Sequence, residues 1–452
     1  MTQERSITQA KFVTGSTMRH VLVMTATGSI GLIAVFAVDA LNLFYIGQLG
    51  QKELAAAVGY SGTILFFYTS IGIGLSIAAT AMVARALGQG ERAHARKVAG
   101  AALLVSGVAL ALVALLTLPF FPAILRALGA QGETARLALR FMHIVLPSIP
   151  LLGLGMTFGG LLRALGDARR AMYVTLGTGF ATAVLDPLFI FGFGMGLDGA
   201  AYANVLARLC LIGIGGYSLF KIHRMASWPP AVIFRSEYKT YLQIGIPAIL
   251  TQIATPVGNT FVTAAISHYG DDAVAGWAVI GRLIPLAFGT IFALSGAVGP
   301  ILGQNFGAQR YDRLRSTMRD SLIVTVGYVL AVWLLLALAS SWIAQAFGTH
   351  GLGRELIIFF CVFVSASFVF NGFLFVANAA FNNLGFAFYS TMLNWGRSTL
   401  GVIPFVWLGS HWYGALGVLA GYGLGVVLFG VVGVVLCFRV LARLERQGQA
   451  AT

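Results

Sequence analysis

The 452-residue chain is 58% hydrophobic and only 10% charged, whereas soluble domains carry about 25% charged residues; a water-soluble enzyme or scaffold is excluded. Apolar runs of ~20 residues, not ~10-residue alternation, predict an all-α polytopic membrane protein and exclude a barrel. The net charge of +14 would suggest nucleic acid in a soluble chain, but here most basic residues fall in loops and no nucleic-acid partner is expected.

Residues 1–18 are polar and lack a short apolar core followed by a small-residue cleavage site, so the first helix is expected to be an uncleaved signal-anchor. Twelve spans are predicted, at about 20–46, 54–84, 98–118, 137–162, 171–194, 199–222, 241–267, 273–303, 318–340, 355–381, 386–410 and 413–438. Lysine and arginine concentrate in alternate loops. One side carries Arg5, Lys11 and Arg19, then Arg92, Arg96 and Lys97, then Lys221 and Arg224, and later Arg310, Arg313 and Arg315. Both termini are therefore expected to be cytoplasmic. The cysteines, Cys210, Cys361 and Cys437, lie inside apolar runs and read as small core residues, not as a disulfide or metal framework.

The chain repeats itself. GQGERAHARK (88–97) matches GAQRYDRLRS (307–316), Gly50 matches Gly270, and Gly166 matches Gly385. The offsets are 307 − 88 = 219, 270 − 50 = 220 and 385 − 166 = 219. Two six-helix bundles follow: an N-lobe (1–222), a cytoplasmic linker (223–240) and a C-lobe (241–452). An even number of spans per half makes the repeats parallel, the plan of many alternating-access transporters.

Asp39 is the lone charge between Val21 and Ile46, and a carboxylate at membrane depth costs about 2.5–3.5 kcal/mol on insertion scales. Counting ~1.5 Å per residue puts Asp39 ~10 Å and Asp186 ~12 Å from the outer ends of their spans. The same count puts Asn204 at ~8 Å and Arg208 at ~13 Å. Thr182 precedes Asp186 by one turn and shares its face, and Pro187 removes a backbone donor there. Close carboxylates in a low-dielectric pocket repel, so a proton can be held near neutral pH; the same oxygens suit Na⁺, with Asp39 and Asp186 as its ligands. No structural metal is expected. Arg208 either pairs with Asp39 or Asp186 or serves as a structural counter-ion. By the 219 offset no acid repeats in the C-lobe, which offers instead Gln252, Asn259, Arg282, Asn371, Asn394 and Arg397; with Asn42 these are the candidate cleft residues. Several of the amides, Asn259 and Asn378 among them, could equally be helix-packing glue. Gly28 and Pro247, 219 apart, are candidate hinges.

At this point the chain resembles the multidrug and toxic compound extrusion (MATE) family. The resemblance rests on VDALNLFYIGQLGQKELAAAVG (38–59), LRALGDARRAM (162–172), LDPLFIFGFGMGLDGAAYA (185–203) and GQNFGAQRYDR (303–313). It implies a pair of six-helix bundles exporting amphipathic, often cationic compounds in exchange for H⁺ or Na⁺. It also implies an N-lobe cation site at the first-helix aspartate and the polar turn before LDP. Thr182 stands where many relatives carry Asn. The counterparts of the acids that one branch carries in spans seven and ten are Thr255 and Asn371, both neutral, which resembles the DinF-like branch. Beyond the coupling ion no cofactor is expected. The expected partners are small-molecule substrates and the bilayer, for a monomer in the inner membrane. Intramembrane Arg208, Arg282 and Arg397 keep open a lipid or glycolipid flippase. Scattered histidines without an HExxH motif or nucleophile elbow argue against an enzyme.

Overall fold

The computed structural model describes residues 10–228 and 231–450, so Arg5 of the basic set expected on the cytoplasmic side lies outside the described residues. The described chain is helical throughout. α1 (Thr17–Gln48), α2 (Lys52–Gly88) and α3 (Arg92–Thr117) are the first three passes. A 3-10 turn, Leu118–Phe120, leads from α3 into the short α4 (Phe121–Ala127). α5 (Gly132–Val145) and α6 (Ile149–Ala164) make one pass, broken at Leu146–Ser148. α7 (Ala168–Pro187) and α8 (Gly196–Gly216) follow, each ending in a π turn, Leu188–Gly192 and Tyr217–Ile222.

The second half has α9 (Ala231–Ser267), α10 (Asp271–Gly307) and α11 (Tyr311–Ala346). α12 (Gly351–Phe359) and α13 (Phe368–Leu384) form a pass broken at Phe360–Ser367, and α14 (Ala387–Ser398) and α15 (Ile403–Ala450) complete the chain. Among the described residues, 11 helical stretches are long and apolar enough to cross a membrane, the last of them 63 residues long. That last stretch holds two passes, because Tyr413 and Gly414 leave helical geometry inside α15. Twelve passes result, as the apolar runs predict. Around the break a side chain at Gly417 would overlap the Gly409 carbonyl, at Gly421 the Phe405 carbonyl and at Gly425 the Gly401 carbonyl. The two arms therefore lie antiparallel at backbone contact, which only glycine permits.

The repeat is written into the backbone. The 3-10 breaks Leu146–Ser148 and Ser365–Ser367 are offset by 365 − 146 = 219. Positive φ recurs in the same register at Gly129 and Gly348, Gly132 and Gly351, Gly166 and Gly385, and Gly90 and Gln309. Turns, which proline and glycine dictate locally, thus keep the register even where the apolar sequence between them has drifted.

Two compact units are present: Ile30–Ile249, and the described part of Met1–Ser29 together with Leu250–Thr452. They divide the chain within α1 and within α9. The first unit buries Ile46, Phe121, Met142 and Ile149 in one cluster. The second is centred on Phe288, Phe360 and Phe368, with Phe288 stacked on Phe368 at 4.2 Å.

The GQNFGAQRYDR stretch has a structural task in the second unit. Phe12, 1% exposed, donates its N–H to Gln304 Oε1 at 2.8 Å, and its carbonyl accepts from Asn305 Nδ2 and from Arg313. Arg313 also donates to the Gly15 and Thr14 carbonyls and to Asn305 Oδ1. Thr17, opening α1, donates to buried Asp320 at 2.5 Å. The backbone carbonyls of this segment are thereby served by one guanidinium and the Asn305 amide, and the Phe12 N–H by Gln304. In the first unit the related basic loop does the same for the chain after pass six, through Arg92 to the His223 carbonyl and Arg96 to the Ala226 carbonyl.

Candidate ion site

α1 and α7 run in parallel register. Gly31 packs against Thr175, and Asn42 bonds Asp186; both pairs differ by 144 (175 − 31 and 186 − 42). Close approach at Gly31 and at Gly179, which faces Val38, brings the polar turn of α1 onto that of α7. Asp186 is 1% exposed. Its Oδ2 accepts a 2.7 Å hydrogen bond from Asn42 Nδ2, and its Oδ1 has no partner among the described residues. A buried carboxylate oxygen without a donor is costly, and it is the atom at which a proton or a hard cation is best received. Asn42, placed with the cleft residues from sequence, belongs with Asp186. The signal for it was its position one turn after Asp39 on α1.

Asp39 itself is exposed and close enough to Asp186 for their charges to interact. Thr182 donates to the Thr178 carbonyl, leaving its lone pairs free, and Asn204 is half-buried. Immediately after Asp186, Pro187 ends α7, and the chain widens into the π turn, closed by Phe193 N–H to the Leu188 carbonyl at 2.9 Å. π turns recur at functional sites because they free and redirect backbone groups.

Arg208 does not reach either acid. It is 6% exposed and donates to Ser148 Oγ at 2.7 Å and to the Val145 carbonyl at 3.4 Å. Its partners are the groups freed by the Leu146–Ser148 break, so of the two sequence expectations the structure favours the structural role over the pairing with Asp39 or Asp186.

In the second unit Asn394 is buried and donates to the Ser390 carbonyl, while Asn371 is buried with Oδ1 unpartnered. Gln252 is half-buried; Asn259 and Arg282 are exposed. Arg397 is 3% exposed and donates to Thr255 Oγ1 at 2.8 Å. The cysteines are free, Cys361 and Cys437 buried and Cys210 exposed. Among the described residues no group of three His, Cys, Asp or Glu side chains is arranged to hold a metal.

Outside the spans, Asp167 caps α7: Oδ1 accepts from Arg170 N–H, and Oδ2 meets Arg170 Nη1 at 2.5 Å and His223 Nε2 at 2.7 Å. Burial alone would push this carboxyl up, but the hydrogen bonds from His223 and Arg170 outweigh it and hold it well below the usual carboxylate range. The LRALGDARRAM stretch is therefore a helix start tied to the beginning of the linker.

The MatE family model matches residues 29–188 and 247–408, one segment in each half. The chain belongs to the MATE transporter family. Its relatives include a FAD transporter of Shewanella oneidensis, 27% identical over 441 residues and 96% of both chains. The multidrug export protein MepA of Staphylococcus aureus is 24% identical over 398 residues, 86% of each chain. Among solved structures, the Vibrio cholerae MATE transporter VcmN in its bent form superposes with a TM-score of 0.90 at 24% identity, covering 96% of this chain and 98% of that one. A MOP-superfamily transporter from Pyrococcus furiosus gives 0.89 at 23%, covering 96% and 98%. MATE proteins are transporters, not enzymes, and the chain is accordingly a multi-pass membrane transporter of small molecules.

Proposed function

We propose that this MATE protein exports amphipathic, often cationic compounds across the inner membrane in exchange for H⁺ or Na⁺, with both termini in the cytoplasm. The observation that carries the reading is Asp186: a buried carboxylate held by one amide donor, with its second oxygen unmatched, beside a π turn. Asp39, one turn before Asn42 on α1 and exposed, is the acid by which the ion arrives. Thr182 and Asn42 supply further oxygens of the kind Na⁺ prefers. Occupancy neutralises the carboxylates, removes the cost of burying charge and so biases the equilibrium between states open to opposite sides. Inward movement of one charge gains ~2.3 kcal/mol per 100 mV. The multidrug-export relative supports this substrate class.

The relative named as a FAD transporter favours a second reading, in which the cargo carries phosphate. No observation favours a flippase over either. The deciding experiment is uptake of ethidium into inside-out proteoliposomes under an imposed pH or Na⁺ gradient, one at a time. Uptake driven by one gradient supports exchange and names the ion; uptake indifferent to both would overturn it.

A further inference from the structure

Passes five and eleven occupy corresponding places in the repeat, and both leave α-helical geometry, pass five in the π turn at its end and pass eleven at a break. α7 stops at Pro187; the eleventh pass stops at Ser398 and resumes at Ile403, with Pro404 at the start of α15. Interrupted helices in matching positions of two halves are where such transporters place their binding groups, since the freed helix ends become ligands. The polarity of the two is opposite. The first interruption carries a buried carboxylate with an unmatched oxygen, Asp186; the second carries a buried guanidinium with an unmatched nitrogen, Arg397 Nε.

Arg397 lies ten residues from the start of α14, ~15 Å along the helix and so well within the span. Its known neighbours are neutral: Thr255 Oγ1 at 2.8 Å and the Tyr422 hydroxyl. Ser398, next in sequence, packs against Gly258, one turn beyond Thr255, and its hydroxyl has no partner. Among the described residues no carboxylate lies within 4 Å of Arg397. The unit's described acids, Asp271, Asp272, Asp312, Asp320, Glu355 and Glu445, all belong to the end regions of its spans. Arg208 is different in kind, because it donates to a backbone carbonyl freed by a helix break. Arg397 is supported only by hydroxyls and by the negative end of the half-helix it terminates. A charge so buried calls for an anion.

We propose that Arg397, with Thr255, Ser398 and Tyr422, forms a binding site for an oxyanion, carboxylate or phosphate, on a transported substrate. Guanidinium geometry suits either group bidentately, and three hydroxyls complete the donor set. The protein would then accept zwitterionic or anionic amphiphiles as well as cations. The inference rests on the exporter reading.

Purified protein in a neutral detergent is titrated with fluorescein, a dianion, and with ethidium, a cation, by fluorescence polarisation. Arg397→Gln is expected to weaken fluorescein binding at least tenfold with ethidium within twofold; Arg397→Lys restores part of the loss. Equal loss of both dyes, or of neither, overturns the proposal. A readout on the unaltered protein covers the case in which the variant does not fold. Pyrophosphate displacing bound fluorescein, with phosphatidylglycerol ineffective, supports a soluble oxyanion. Displacement by phosphatidylglycerol alone assigns the site to a lipid headgroup and overturns the substrate role, as does displacement by neither. Gradient-driven ethidium uptake with no fluorescein binding would sink this inference and leave the exporter reading standing; the reverse would sink the exporter reading.

Discussion

Replacing Asn42 with leucine removes the one donor that Asp186 has among the described residues. Asp186 is 1% exposed and its Oδ1 is already unmatched, so the variant leaves a buried carboxylate with neither oxygen served. A hydrogen bond to a charged group contributes about 1.5–3 kcal/mol, and stranding its partner costs at least as much. Asn42→Leu should therefore lower stability by about 2–3 kcal/mol in the native background. With Asp186→Leu already present there is no carboxylate left to strand, and the same change should cost well under 1 kcal/mol. Reversible unfolding in mixed micelles of the native protein, both single variants and the double variant measures the difference as a coupling free energy of about 1.5–3 kcal/mol. Additivity within about 0.5 kcal/mol would mean that the amide and the carboxylate do not support each other, and the account of the site would fall with it.

The remaining predictions concern segments outside the spans. Arg313→Ala removes a donor from the carbonyls of Phe12, Thr14 and Gly15; trypsin cleavage at Lys11 should speed up at least tenfold, whereas Arg315→Ala, which loses an ion pair with Glu445, should leave it unchanged. Equal rates in the two variants would refute the clamp. Asp167→Ala should cost about 1 kcal/mol at neutral pH through the lost cap. Because the native carboxyl is held low, its contribution is complete above the ordinary aspartate value of about 3.9 and fades as pH falls through the lowered value. The gap between variant and native protein should thus close only in strong acid; a gap already closed at pH 5 would contradict the assigned bonds.

Much of the architecture was legible in the sequence because it rests on local rules. Apolar run length marked the passes, and the glycine and basic turns marked the 219-residue repeat, which positive φ at Gly166 and Gly385 reproduces. The hairpin in α15 was legible as two spans, although its turn reads as continuous helix in all but Tyr413 and Gly414. The points at which the two compact units divide, within α1 and within α9, carry no signal along either helix. In the ion site, depth counting brought Asp39, Asp186, Thr182, Asn204 and Arg208 into one layer, but depth says nothing of azimuth. Arg208 faces the break in pass four, and Asn42, not Asp39, faces Asp186. The GQNFGAQRYDR stretch marked the family without disclosing its task, because its partners are backbone atoms some 300 residues away, which carry no sequence signature.

The central claim is that the Asp186 carboxylate is where the coupling ion is bound. Proteoliposomes of Asp186→Asn, a change that keeps volume and polarity and removes the titratable oxygen, should bind ethidium with native affinity. They should show no gradient-driven uptake while retaining slow equilibration. Gradient-driven uptake at the native rate by Asp186→Asn would contradict the account.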